Sequence, residues 1–204
     1  MLTLDHIAVS TAALGPGTAE VEAALGVALL PGGEHAAMGT HNRLLSLGPE
    51  EYFELIAIHP GAPGPDQPRW FDLDTFSGPT RATTWICRCV DLDAALAAAP
   101  EGAGVPWDLA RGDLRWRMGV PRDGKLPFRG LFPALIEWQG TVHPAPRLAD
   151  SGVRLAALRL FSPEAEALRA ALAPLIADAR VSVLDSAKAR MEADLATPSG
   201  VVTL

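Results

Sequence analysis

Apolar runs of strand length alternate with helical stripes along this chain, and the arrangement recurs. Residues 3–9 read as a strand. Pro16 suits the first turn of a helix, where its missing N–H costs little, and Val21 and Leu25 then share one apolar face with Glu20 and Glu22 outside. Gly26 is a helix stop. A strand at 27–30, a glycine-rich loop at 32–40 and strands at 42–48 and 51–58 complete a first strand–helix–three-strand unit. Glycine and proline then crowd residues 60–80, a connector whose Trp70, Phe71 and Phe76 predict packing onto the body. The pattern restarts with a strand at 82–90, an alanine-rich helix capped by Asp91 or Asp93 and stopped at Pro100, and strands at 105–109, 114–120 and 131–139.

After a second connector, residues 153–161 read as a strand and Ser162-Pro163-Glu164 as a helix start, with Leu168, Leu172, Leu175 and Ile176 as the buried face. A strand at 181–185 follows. Ala189, Met191, Ala193 and Leu195 alternate with charged residues, which predicts a strand, an alanine-rich helix being the rival reading. A final strand covers 201–204. The fold class is therefore α+β, with tandem βαβββ modules and a third, degenerate one. The divisions are a first module at 1–60, a connector at 61–81, a second module at 82–140, a connector at 141–152 and a third unit at 153–204.

Composition narrows this only moderately. A chain of 204 residues with 49% hydrophobic residues is long enough to bury a sizeable core. Its net charge of −7 argues against nucleic acid and anionic membrane as partners and mildly favours a neutral or cationic small-molecule ligand. No apolar run reaches the roughly 20 residues of a bilayer span, and no signal-peptide pattern opens the chain. The two cysteines, Cys87 and Cys89, share a strand face in poor geometry for a disulfide and read as reduced thiols, which suits the cytoplasm.

Polar residues inside apolar runs carry the candidate chemistry. His6 lies in Leu-Asp-His-Ile-Ala-Val and Glu54 in Tyr-Phe-Glu-Leu-Ile. A carboxylate there is costly to bury without a partner, which a metal or an arginine such as Arg43 or Arg81 would supply. Glu137, between Ile136 and Trp138, repeats the pattern, although alternation can turn it to solvent. Gly39-Thr40-His41-Asn42 places His41 and Asn42 just after a bend, for a turn or for orienting a substrate. His35 and His59 read as exposed loop residues, and His143 as a residue that fixes the second connector. Arg111, Arg115 and Arg117, with Trp107 and Trp116, suit either a solvated strand face or recognition of a carboxylate.

Leu4-Asp5-His6-Ile7, Gly39-Thr40-His41-Asn42, Tyr52-Phe53-Glu54-Leu55-Ile56 and Ile136-Glu137-Trp138 with His143-Pro144, in that order over about residues 3–146, resemble the vicinal oxygen chelate superfamily. That superfamily contains glyoxalase I, extradiol dioxygenases and bleomycin-resistance proteins. More narrowly, the motifs resemble the bacterial glyoxalase-like domain family. The resemblance implies paired βαβββ modules whose curved mixed sheets form a cup, with metal ligands on their first and last strands. Those places fall on His6, Glu54, Trp85 and Glu137, of which tryptophan cannot ligate. It thus implies a divalent ion (zinc, iron, manganese or nickel) on His6, Glu54 and Glu137, and Glu54, Glu137 or His41 moving a proton. Asn42, Trp85, Arg115, Trp116 and Trp138 would hold the substrate. The expected activity is a lyase, isomerase or dioxygenase acting on a small oxygen-rich molecule. A metal-free sequestering protein of the bleomycin-resistance type is the alternative, and a homodimer would cover a free sheet edge.

Overall fold

The computed structural model describes all of residues 1–204. Strand β1 (Thr3–Ser10) is the centre of the molecule, and every residue after Thr3 is buried, the polar Asp5, His6 and Ser10 included. Helix α1 (Leu14–Leu25) buries Val21 and Leu25 and ends at Gly26, whose φ of 70° closes the helix through its N–H on Glu22 O. Strands β2 (Leu30–His35), β3 (Thr40–Ser46) and β4 (Tyr52–Ile58) complete the first module. The sequence placed a loop across most of β2. The chain instead continues as a strand through Gly32 and Gly33, over an irregularity in its pairing with β3 between Pro31 and Glu34.

The second module repeats the order: β5 (Arg81–Arg88), α2 (Leu92–Ala98), β6 (Val105–Arg111), β7 (Leu114–Val120), a single turn α3 (Pro127–Gly130) and β8 (Ala134–Trp138). Asp91 caps α2 by accepting from the Ala94 N–H at 2.9 Å. The connector between the modules winds into a short helical segment at Trp70–Thr75 that buries Trp70, Phe71 and Leu73.

The two modules form one eight-stranded sheet in the order β2-β3-β4-β1-β5-β8-β7-β6. Strands β1 and β5 join the modules antiparallel, while β1 with β4 and β5 with β8 are parallel. The sheet curls into a half-barrel with a hollow concave face. The third unit, β9 (Arg154–Ser162), α4 (Ala165–Leu172), β10 (Val181–Asp185), β11 (Arg190–Thr197) and β12 (Gly200–Thr203), builds a separate sheet in the order β10-β9-β11-β12. Met191, Ala193 and Leu195 are buried at every second position of β11, so the period of two prevails over helix propensity.

The larger core lies on the convex side. There Leu4, Ile7, Val9, Phe53, Leu55, Trp85, Cys87 and Leu135 meet α1, α2 and the inner face of the third unit. A smaller apolar cluster, including Ala8, Ile56, Ile86, Trp116, Met118 and Ile136, lines the concave side. Neither cysteine is in a disulfide, and no helix is long and apolar enough to cross a membrane.

Candidate functional site

A β-bulge in β1 prepares the site. The pairing of β1 with β5 shifts between Leu4 and His6. Leu4 and Ile7 consequently share the convex core although they are three apart, and both Asp5 and His6 are freed for the other side. Bulges re-aim side chains in this way. Asp5 is wholly buried and acts as a hub. Its Oδ1 lies 2.6 Å from His6 Nδ1, and its Oδ2 accepts from Trp138 Nε1 at 3.0 Å and lies 2.9 Å from His143 Nε2. His143 Nδ1 accepts from the Ala145 N–H, so its proton is on Nε2 and is donated to Asp5. His143 therefore ties the second connector to the floor of the cup.

With Nδ1 held by Asp5, His6 presents Nε2 to Glu54, 3.6 Å from Oε2, and its ring stacks on Tyr52 at 4.3 Å between centroids. Glu54 is 5% exposed. Its Oε1 accepts from Asn42 Nδ2 at 2.5 Å, and Asn42 Oδ1 in turn accepts from the Gly33 N–H and from Arg111 Nη1. Burial pushes the Glu54 carboxyl up, but the facing His6 imidazole, with His35 and the Asn42 hydrogen bond, outweighs it and holds the group at about 2. Burial pushes the His6 imidazole down, and the hydrogen bond to Asp5 with the charges of Asp5 and Glu54 reverse that, leaving it above its ordinary value. Asp5 ends well below the ordinary carboxylate range: burial opposes its ionisation, and the two histidines more than compensate. The two shifts run in opposite directions, and together they favour a protonated imidazole facing an ionised carboxylate.

His35 reaches the same hollow from β2. Arginine can only donate, so His35 Nε2 accepts from Arg111 Nη1 at 3.2 Å, and Nδ1 donates to Thr40 Oγ1 at 3.0 Å. Burial, and then the Arg111 charge against the opposing pull of Glu54, lower His35 to about 4, so it is neutral at pH 7. The hollow has about 370 Å³ of empty space, its open mouth included. Trp70, Phe71, Trp116, Met118, Ile136 and Trp138 supply its apolar wall.

Residues 4–176 match the family described as the glyoxalase-like domain. The chain belongs to that glyoxalase-like domain family. Its fold is that of the vicinal oxygen chelate superfamily. A hypothetical protein from Staphylococcus aureus is similar over 93% of this chain and 88% of its own, with a TM-score of 0.60 and 12% identity. A Streptomyces coelicolor methylmalonyl-CoA epimerase variant in complex with 2-nitronate-propionyl-CoA is similar over 70% of this chain and all of its own (100%), with a TM-score of 0.43 and 15% identity. A methylmalonyl-CoA epimerase from Mycobacterium tuberculosis covers 68% of this chain and 88% of its own, at 0.42 and 20% identity. No curated protein matches the chain.

The glyoxalase-like cup gathers only some of the residues that the sequence nominated. It brings together His6, Glu54, Asn42, Trp116 and Trp138. Glu137 is a correction: on β8 the inward positions are Ala134 and Ile136, so Glu137 faces the opposite side. There its Oε2 accepts from the Leu92 N–H at the start of α2, and Arg117 and Gln139 bond it as well. Trp85 is also corrected, being sealed in the convex core with Nε1 donating to Leu131 O. Arg115 is exposed and donates to the Gly112 and Leu114 carbonyls. His41 alternates away from Asn42 and packs edge-on against His59. His35, read as an exposed loop residue, is 8% exposed.

The expected metal does not fit the donors present. Catalytic ions are commonly held by three protein ligands. Here Glu137 and Trp85 face away, and His35 Nε2 is engaged by Arg111. His6 Nε2 and Glu54 are left, and they pair with each other. No group of three or more His, Cys, Asp or Glu side chains is arranged to hold an ion.

His35, Tyr52 and Trp70 in the lining and Asp5 beneath it are residues that the sequence reading did not assign to the site, and Arg111 was nominated only as one of three arginines for a carboxylate. Asp5 had a signal, an acid beside a histidine inside an apolar run. His35 had none, because Gly32 and Gly33 disguise the strand that carries it.

Proposed function

We propose that this chain is an enzyme of the isomerase or lyase type that moves a proton next to a carbonyl in a small oxygen-rich molecule. The observation that carries the reading is the buried line Asp5–His6···Glu54, with His6 Nε2 3.6 Å from Glu54 Oε2 in a hollow walled by tryptophans and shared with His35, Asn42 and Arg111. An imidazolium and a carboxylate facing each other are an acid and a base already in opposite protonation states.

The substrate's reacting carbons enter between them. Separated from the imidazolium, Glu54 regains the basicity that burial favours and takes the proton from carbon. His6 Nε2–H donates to the carbonyl oxygen as it gains charge, and Asp5 stabilises the imidazolium and fixes its orientation. Where the deprotonated carbon bears a hydroxyl, Glu54 returns the proton to the former carbonyl carbon while the hydroxyl proton passes to His6 Nε2 as the new carbonyl forms, which gives the isomer; where the next carbon bears a leaving group, its departure from the enolate with the electron pair gives the lyase product. Asn42 holds Glu54 in place, and the tryptophan walls keep water from the enolate. No step in this scheme needs an ion.

Exchange of carbon-bound hydrogen in D2O, followed by proton NMR over a panel of small 2-oxo and 2-hydroxy compounds, tests the reading. Catalysed exchange that is lost in Glu54→Gln and His6→Asn, in protein stripped of metal by a chelator, is expected. Exchange that tracks metal content instead would defeat it. Tight binding with no exchange of any compound would favour a sequestering protein, a role that the aromatic walls also suit.

A further inference from the structure

Arg111 is the cation of the cup that no acid claims. It ends β6, at the far edge of the sheet from β2, and its side chain crosses the seam of the half-barrel to reach His35 Nε2 and Asn42 Oδ1, each at 3.2 Å. Both acceptors are neutral. The acids near its own hairpin are taken elsewhere, Asp113 by Arg147 and Asp93 and Asp108 by Arg117. Only Nη1 donates within the protein, so the Nε and Nη2 hydrogens are left for something else. The crossing is built for: a Cβ at Gly33 would lie 2.8 Å from Arg111 Cδ, and one at Gly32 only 2.0 Å from Asn42 Oδ1. Two glycines thus make room for the arginine and for the amide that receives it.

We propose that Arg111 is the anion-recognition group of this site and that the substrate is a small organic acid. The inference deepens the proton-transfer reading and rests on it for the word substrate. A guanidinium partly withdrawn from water gains most from a carboxylate, which it binds through two parallel N–H donors. Asn42 joins the two ends of the site, accepting from Arg111 and donating to Glu54 at 2.5 Å. The carboxylate therefore sits one side chain away from the base, and the acidic C–H lies within a few atoms of it. A 2-oxo or 2-hydroxy acid has that spacing.

Trp70, Trp116 and Trp138 line the hollow, so binding can be read from tryptophan fluorescence without turnover. Pyruvate and its neutral counterpart pyruvamide are titrated into the wild type, Arg111→Met, Arg111→Lys and, as an exposed control, Arg115→Met. The acid is expected to bind the wild type and Arg115→Met at least tenfold more tightly than the amide. Arg111→Met should abolish that preference, and Arg111→Lys should keep part of it. Equal binding of acid and amide by the wild type, an acid preference that survives Arg111→Met, or no binding of pyruvate across the titration would each overturn the proposal. Such a failure leaves the proton-transfer reading to the exchange experiment, which binding does not touch.

Discussion

In the first module β4 turns Glu54 into the cup and Phe53 and Leu55 into the convex core; in the second, β8 turns Ile136 inward and Leu135 to the convex core, with Glu137 on that same outer side. Each strand carries a glutamate between apolar neighbours, and a one-residue difference in phase sends them to opposite faces. The same holds for the first strands. The bulge in β1 delivers Asp5 and His6 inward, whereas β5 turns Ile86 inward and Trp85 outward. One half of the cup thus holds the ionisable machinery and the other is mostly an apolar wall. The contrast teaches that a duplicated module need not duplicate a site. A carboxylate that leaves the cup finds other work, and Glu137 accepts from the first N–H of α2 at 2.8 Å.

The strongest test of this division is kinetic. Glu54→Gln and His6→Asn should each lower the exchange rate by about 10²- to 10⁴-fold, the usual contribution of a general acid or base. Glu137→Gln should leave the rate within about twofold, and a comparable loss there would erase the distinction between the halves. Trp85→Ala comes next. It empties a fully buried site and should cost about 3–5 kcal/mol in urea denaturation, while ligand quenching in the fraction that remains folded is unchanged. Writing the first module's chemistry into the second, as Ile136→Glu, buries a carboxylate without a partner. It should cost about 3 kcal/mol or more at neutral pH, and less as the medium becomes acidic enough to protonate it.

Acid should loosen the reactive half first. Neutral His35, held at about 4, contributes stability that is full above its ordinary 6.5 and lost as pH falls through about 4. Ionised Glu54 contributes above its ordinary 4.5, and that share fades as pH falls toward about 2. His6 runs the other way: its pKa is raised, so its contribution is complete below 6.5 and is lost as pH rises through the higher value. Thermal melts of the wild type against His35→Asn should show the variant missing the portion of the acid limb that lies between 6.5 and about 4. The smallest effect is expected at Glu137→Gln, about 1 kcal/mol from the weakened start of α2, measured by denaturant midpoint.

The fold was largely legible because burial imposes periodicity. Val21 and Leu25 on α1, the alternation along β11 and the cap of α2 by Asp91 are all local signals, and each element forms where they lie. The site was legible where a polar residue interrupts an apolar run, as at His6 and Glu54. It was not legible where phase decides. A glutamate flanked by Ile136 and Trp138 reads the same whether it faces a cup or a helix end. Nor did Arg115 and Arg111 differ in sequence in a way that reveals which one crosses the seam.

By itself, the order of apolar and polar residues determined most of the strands and helices, β2 excepted, because burying each apolar face dictates its period. Only the tertiary structure decided which way each strand's polar residues point and which edge strands meet. Those choices depend on a bulge between Leu4 and His6, on pairing register and on the closure that brings Arg111 to His35. Each is settled by contacts between residues far apart in the chain, where no local pattern records them.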